Sequence, residues 1–106
     1  MALSMSVLST QYVIVPVSLI STSGPLDPTP DTVQFAFIAL GTDPQPADWV
    51  TGSWAGALNG WYWAQCLVGP ASGGKSLAIG SYVIWYKITD SPEVPVATAG
   101  ILTITP

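Results

Sequence analysis

The fold of this chain is decided by one stretch in its C-terminal third, Leu77-Ala78-Ile79-Gly80-Ser81-Tyr82-Val83-Ile84-Trp85-Tyr86-Lys87-Ile88-Thr89-Asp90. Its pattern predicts a long β-strand over residues 81–89, with apolar side chains on both faces. Because side chains alternate along a strand, we expect the even-numbered residues to face a core and the odd-numbered ones, Trp85 among them, to face outwards. The stretch therefore predicts a β protein, and it indicates nothing about chemistry.

The approach to this strand has the arrangement Leu-x-x-Gly-x-Tyr, from Leu77 to Tyr82. This arrangement is typical of a tyrosine corner, in which a glycine allows a tight turn and the tyrosine hydroxyl bonds back to upstream backbone. The sequence thus predicts an all-β fold, an immunoglobulin-like β-sandwich with Greek-key topology.

Further apolar runs are separated by clusters of the ten prolines and ten glycines, as expected for short strands joined by turns. We predict strands over residues 11–20, 32–40, 61–68 and 99–105, whereas residues 48–54 fit either a short strand or a turn. Val13, Val15, Val17 and Leu19 should share one face of the first strand, and Pro16 should place that strand at a sheet edge or break it there. Residues 10–106 then form one sandwich domain, and residues 1–9 form an extended N-terminal arm that orders only on docking.

The composition is unusually poor in charge, with 8% charged and 49% hydrophobic residues, where ordinary soluble domains have about 25% charged residues. Such a surface suits a domain that lies inside an assembly, although an extracellular domain covered with Ser and Thr is an alternative. Two lysines without any arginine cannot form the basic stripe that nucleic acid requires, and an anionic membrane surface is excluded for the same reason.

The single cysteine, Cys66, precludes an intrachain disulfide, and its apolar surroundings in the sequence predict a buried free thiol. The absence of disulfides fits assembly in a reducing cytoplasm. The N-terminal residues lack the positive start of a signal peptide, and no apolar run approaches the roughly 20 residues that span a bilayer. We therefore expect a chain that is neither exported by a signal peptide nor anchored in a membrane.

The residues needed for catalysis or metal binding are scarce. There is no histidine, and Cys66 has no basic neighbour in the sequence. Residues 69–76 match the spacing of a phosphate-binding loop, but a predicted strand follows where that motif requires a helix. Four acids lie in two adjacent loops, and their spacing matches no calcium motif: Asp27, Asp31, Asp43 and Asp48. We predict no enzymatic activity, no cofactor and no metal site.

The five tryptophans are the feature that could be functional. Alternation places Trp61 and Trp63 on one face of their strand and Tyr62 on the other. If the two tryptophans point outwards, we expect them to form an aromatic strip beside Trp85. Such residues pack a core, anchor a protein partner or stack on sugar rings, and the sequence leaves these three possibilities open.

Segments spread over residues 10–105 resemble small immunoglobulin-like virion proteins of tailed phages and prophages of actinobacteria. The segments that carry the resemblance are Tyr12-Val13-x-Val15-Pro16-Val17, Asp27-Pro28-Thr29, Val33-x-Phe35-Ala36-Phe37, Ala47-Asp48-Trp49, Cys66-Leu67-Val68-Gly69-Pro70, the strand quoted above, Ser91-Pro92-Glu93-Val94-Pro95-Val96 and Gly100-Ile101-Leu102-Thr103-Ile104-Thr105. One departure is Tyr86-Lys87, where a Val-Arg pair is usual; it should not alter the fold.

The resemblance implies a non-enzymatic structural component of the virion, assembled in the host cytoplasm. We expect a capsid decoration or head accessory protein that stabilises a symmetric protein lattice. A tail or neck component and a carbohydrate-binding module for host-envelope attachment are the alternatives. The expected partners are other virion structural proteins, including further copies of this chain.

The residues expected to make the contacts are mostly apolar or aromatic. Trp61, Trp63 and Trp85 are the predicted interface anchors. The loop over residues 90–96, with Pro92, Glu93 and Val94, and the arm over residues 1–10 are predicted secondary contacts. Deletion of residues 1–9 is expected to leave the fold intact and to weaken assembly.

Overall fold

A computed structural model describes residues 2–17, 19–21, 24–26, 31–58, 61–71, 73–89 and 94–106. Most of these residues are in strands, and their only helical segment is a 3-10 turn at Pro46–Asp48. The strands in chain order are β1 Ala2–Ser6, β2 Gln11–Val17, β3 Leu19–Ser21, β4 Gly24–Leu26, β5 Thr32–Ala39, β6 Val50–Thr51, β7 Ser53–Leu58, β8 Trp61–Val68, β9 Gly80–Thr89 and β10 Val96–Thr105. In this part of the chain, no helix is long and apolar enough to cross a membrane.

Two sheets make up most of the fold. The five-stranded sheet has the order β1-β10-β9-β5-β6, and the three-stranded sheet has the order β2-β8-β7. Strands β3 and β4 pair separately as a short hairpin; β3 overlaps the end of the strand predicted over residues 11–20, and β4 lies outside the predicted strands. Neighbouring strands are antiparallel, except that β1 runs parallel to β10. The prediction of an all-β protein built from packed sheets is confirmed.

The two sheets share one hydrophobic core, because their inward side chains belong to a single buried cluster. The three-stranded sheet contributes Val13, Val15, Val17, Ala64, Cys66 and Val68 to this cluster. The five-stranded sheet contributes Met5, Val33, Phe35, Phe37, Ile84, Ile88, Leu102 and Ile104. The alternation predicted for β2 is confirmed, and its proline lies on an edge strand as expected.

Strand β9 has the orientation that its sequence predicts. Ile84 and Ile88 are fully buried, and Tyr82 and Tyr86 pack against the core. The Tyr82 hydroxyl donates a hydrogen bond to the Ala78 carbonyl oxygen at 2.9 Å. Gly80 begins the strand with a φ of 151°, a value that favours glycine over residues with a side chain. The turn before β9 is therefore held at both ends, by the glycine backbone and by the tyrosine hydroxyl.

The N-terminal residues differ from the expected free arm. Ala2–Ser6 form β1, which pairs with residues 101–105 of β10, and the Val7 amide continues the contact by donating to the Thr105 carbonyl oxygen at 2.7 Å. Met5 is only 6% exposed and belongs to the core cluster. Since an inward methionine and a full set of ladder bonds fix these residues, the described part of the N-terminal segment is an edge strand of the five-stranded sheet.

The structure also decides one prediction that the sequence left open and moves one strand boundary. The ambiguous residues 48–54 contain β6 and the start of β7, which lie in different sheets. Strand β10 begins at Val96, three residues earlier than predicted, and a bulge between Thr98 and Gly100 restores its register with β9. Asn59-Gly60, a pair typical of a tight turn, lies outside the described residues.

Candidate functional site

The outer surface of the three-stranded sheet carries the candidate site. On β8, Ala64, Cys66 and Val68 face the core, so that Trp61, Trp63, Gln65 and Leu67 face outwards. Their register partners on β2 are Pro16 beside Trp63, Ile14 beside Gln65 and Tyr12 beside Leu67. We call the surface formed by these seven residues the aromatic face.

The large side chains of the aromatic face are open to solvent. Tyr12 is 52% exposed, Trp61 49%, Ile14 43% and Trp63 38%. None of the residues of β2, β7 and β8 carries a charge. Gln65 supplies the polar contact on this surface, by donating a hydrogen bond from Nε2 to Ser53 Oγ at 3.2 Å. The face is thus apolar, aromatic and uncharged. A partner that covers β2, β7 and β8 would therefore remove no charged side chain of these strands from water.

Trp85 does not join Trp61 and Trp63 in one strip, which corrects the sequence-based expectation. Its strand neighbours Ile84 and Ile88 face the core, so that Trp85 lies on the outer surface of the five-stranded sheet. The core separates that surface from the aromatic face, and the two surfaces point in opposite directions. Trp85 lies between Ala36 of β5 and Thr98 of β10, and its Nε1 is buried without a hydrogen-bond partner in the described part of the structure.

The chain itself partly covers the outer surface of the five-stranded sheet. Lys87 places its ammonium 4.4 Å from the centre of the Trp49 ring, a cation–π contact. Trp49 follows the 3-10 turn at Pro46–Asp48, which is closed by a 2.8 Å hydrogen bond from the Gln45 amide to the Asp48 carboxylate. Ala36 and Ile38 are buried on this side of β5. This surface therefore carries a charge and has a cover of its own, in contrast to the aromatic face.

The remaining predicted contacts are only partly described. Val94 is exposed and precedes β10. Pro92 and Glu93 lie outside the described residues, as does Asp27 of the four loop acids. Among the residues that the structure describes, no group of three or more His, Cys, Asp or Glu residues could hold a metal ion.

A cleft of about 390 Å³ opens at the end of the aromatic face, between the β6–β7 junction and the loop that precedes β9. We call it the Lys75 cleft. It is lined by Tyr12, Val50, Thr51, Gly52, Ser53, Gln65, Cys66, Leu67, Gly73, Gly74, Lys75 and Ser76. Tyr12, Gln65 and Leu67 belong to both the cleft and the aromatic face, so the two features form one continuous surface.

The loop that forms one wall of the Lys75 cleft is pinned to the end of β8. The Lys75 amide donates to the Leu67 carbonyl oxygen at 2.9 Å, and the Gly69 amide donates to the Lys75 carbonyl oxygen at 3.0 Å. The Gly74 amide donates to the Ala71 carbonyl oxygen at 3.0 Å. These three amides are already bonded within the chain, so they are not free to bind a phosphate. The loop leads into strand β9 and not into a helix, so residues 69–76 have the spacing of a phosphate-binding loop without the structure that the motif requires.

Cys66 lies beneath the cleft as a buried free thiol, as predicted. Burial raises the pKa of the Cys66 thiol from the ordinary 9.0 to about 11, and the positive charge of Lys75 opposes this rise. A thiol with this pKa is protonated at neutral pH and is a poor nucleophile. The geometry therefore gives Cys66 a packing role.

No protein-family model matches the chain, and neither a curated protein nor a solved structure matches it. The structure assigns the chain to a class, the all-β proteins built from packed sheets.

Sequence reasoning missed Tyr12 and Ile14 as members of the site. The signal was available, because valines facing the core at positions 13, 15 and 17 require positions 12, 14 and 16 to face outwards. The cleft had no such signal, because it depends on how a loop returns to a strand.

Proposed function

We propose that this chain is an immunoglobulin-like structural protein of a phage virion, a capsid decoration or head accessory protein without enzymatic activity. It binds a symmetric protein lattice through the aromatic face. The observation that carries this proposal is an exposed, uncharged sheet surface with two tryptophans and a tyrosine, residues that are enriched at the buried centres of protein interfaces.

The strand order supports the immunoglobulin-like part of the proposal. The order β10-β9-β5-β6 corresponds to strands G, F, C and C′ of an immunoglobulin domain, and β2-β8-β7 corresponds to B, E and D. Tyr82 stands near the start of strand F, and its hydroxyl bonds to the backbone four residues upstream, as in a tyrosine corner. Two residues later, where antibody domains have a disulfide cysteine, the chain has the fully buried Ile84.

The aromatic face suits a lattice partner because the binding free energy of one docked chain is repeated at every equivalent position of the lattice. Each docked copy adds buried apolar area between neighbouring subunits, at about 25 cal/mol per Å² of apolar surface before the costs of association. A protein that binds the assembled lattice and not the free subunits stabilises the lattice by mass action. A low charge content, 8% of residues, suits a molecule whose surface meets other protein.

The test is co-sedimentation of the purified chain with assembled phage particles, with the mass of the free chain measured by light scattering. The double variant Trp61→Ser/Trp63→Ser should weaken binding by about tenfold or more, as expected when interface anchors are truncated. Ile101→Ser is the matched control, because Ile101 is exposed on the opposite sheet. The proposal would be refuted if the wild-type chain does not bind the particles, or if the double variant binds them as tightly as the control.

Two alternatives follow from the same surface. A tail or neck component would use the aromatic face on a different lattice, and separate binding assays with heads and with tails distinguish it. A carbohydrate-binding module for the host envelope is favoured by the solvent exposure of Trp61 and Trp63, because aromatic rings that stack on sugars must be accessible. Quenching of tryptophan fluorescence by host-envelope glycans, lost in the double variant, would favour that module over the lattice.

A further inference from the structure

We propose that the Lys75 cleft is a carboxylate-binding site, which receives one acidic side chain of the protein that docks on the aromatic face. The inference rests on the proposed function, since it assumes a protein partner on that face. It adds the chemistry of one contact and the position of that contact on the surface.

The first step is that Lys75 has no ion-pair partner among the residues that the structure describes. The chain has two lysines and no arginine, and Lys87 is engaged with the Trp49 ring. Lys75 forms no ion pair with the residues that the structure describes, and the charged state of Cys66 that it would favour is suppressed by burial. Its backbone is bonded at both the amide and the carbonyl oxygen, so the side chain projects from a fixed point at the end of β8.

The second step is the chemistry of the cleft walls. The described residues that line the cleft include no acid, and Lys75 is the one among them that carries a charge. Ser53, Gln65 and Ser76 provide hydroxyl and amide groups that can donate hydrogen bonds to a carboxylate beside the ammonium. The cleft volume of about 390 Å³ is ample for an acidic side chain.

The third step is the continuity between the cleft and the aromatic face. Because Tyr12, Gln65 and Leu67 line both, a partner that covers the face also covers the mouth of the cleft. Covering Lys75 without supplying an anion would leave a desolvated, unpaired charge, which is costly. A partner that presents Asp or Glu at this point avoids that cost. The charge pair also fixes the orientation of a contact that is otherwise apolar and tolerant of sliding.

The direct test is an NMR titration of the isotope-labelled full chain with the acetylated, amidated glutamate Ac-Glu-NH2. Saturable shifts of the amide signals of residues 73–76 and of the Gln65 side chain are expected, with a dissociation constant in the millimolar range. The neutral Ac-Gln-NH2 should cause no saturable shift. Lys75→Met should abolish the response to Ac-Glu-NH2, and the matched charge variant Lys87→Met should retain it.

Several results would overturn the inference. They are the absence of saturable shifts, equal shifts with the neutral probe, and an unchanged response in both Lys75→Met and Lys75→Gln. Binding of glucuronate or of inorganic phosphate at the same residues, at concentrations at least tenfold lower, would assign the cleft to an acidic sugar or to phosphate and would also overturn it.

Co-sedimentation separates this inference from the proposed function. Lys75→Met should weaken particle binding by about tenfold and flatten its dependence on salt, because one charge pair is lost. If the tryptophan double variant loses binding while Lys75→Met keeps both the affinity and the salt dependence of wild type, the cleft assignment is wrong and the aromatic face remains. If the double variant still binds, the proposed function is wrong, whatever the titration shows.

Discussion

Gly52 lies where the chain passes from the five-stranded to the three-stranded sheet, and we predict that Gly52→Ala is strongly destabilising. The residue separates β6 from β7, and its amide donates to the Val33 carbonyl oxygen at 2.8 Å. A Cβ atom at this position would lie 2.6 Å from the Gln65 carbonyl oxygen, and 2.7 and 2.8 Å from Cε1 and Cδ1 of Phe35. Each distance is well below ordinary van der Waals contact, so something must move.

Neither neighbour of Gly52 can move at low cost. The Phe35 ring is fully buried and stacks on Phe37 with a centroid separation of 6.2 Å, and the Gln65 oxygen belongs to the backbone of the central strand β8. Overpacking a core by one methyl group costs about 1–3 kcal/mol. Because a ring and a backbone atom are both displaced, we expect the upper end, about 3 kcal/mol of unfolding free energy.

The assay is urea unfolding followed by tryptophan fluorescence, with Gly56→Ala in β7 as the matched control. Nothing lies within 4 Å of a Cβ added at Gly56, and we expect that variant to stay within about 0.5 kcal/mol of wild type. The two unfolding slopes should agree, so that the midpoints report stability alone. If Gly52→Ala unfolds within 1 kcal/mol of Gly56→Ala, the close approach of the two sheets at residue 52 is wrong.

Three further predictions concern the N-terminal strand, the buried thiol and the buried indole. Met5→Ala should cost about 2–4 kcal/mol, and deletion of residues 2–6 should cost more, since it also opens the edge of β10; an unchanged urea midpoint in the deletion variant would restore the free-arm interpretation. The Cys66 thiol has its ordinary pKa of 9.0 in the unfolded chain and a pKa of about 11 in the folded one, so its contribution to stability is intact below pH 9.0 and is lost as the pH rises through 11. Between these two pH values the urea midpoint should fall less steeply with pH in Cys66→Ala than in wild type. An equal fall of the midpoint in both proteins would contradict the pKa shift. Trp85→Phe removes a buried N–H that has no hydrogen-bond partner among the described residues and should cost no more than about 1 kcal/mol; a larger loss in thermal or urea unfolding would contradict this expectation.

The inward and outward residues of β2, β8 and β9 could be predicted from the sequence because strand alternation is a local property. A one-residue change of register would move Val15 or Ile84 from the core to the surface, so each apolar set fixes its own strand. The Tyr82–Ala78 hydrogen bond was accessible for the same reason, since it joins residues four apart. Local chemistry was sufficient in each of these cases.

The sheet to which each strand belongs could not be read in this way. Alternation shows that Trp63 and Trp85 both face outwards, but the same pattern occurs in either sheet, and the tryptophans lie on opposite surfaces. Strand β1 alternates Leu3 and Met5 with Ser4 and Ser6, but so short a run does not reveal its partner, because the edge that it pairs with comes from β10, almost a hundred residues later. The cleft depends on the return of Lys75 to the end of β8, a contact that only tertiary structure defines.

The two outer surfaces of the sandwich are unequal, and this inequality favours one docking side. On the five-stranded sheet, Trp49 lies against Lys87 and the Trp85 N–H is already removed from solvent, so that a partner would have a charge to desolvate. On the three-stranded sheet, Trp61 and Tyr12 are about half exposed, and the strands carry no charge. The aromatic face is therefore the outer surface that a partner can cover without desolvating a charge of its strands, and the charge at its end, on Lys75, is the element that would make such a contact directional.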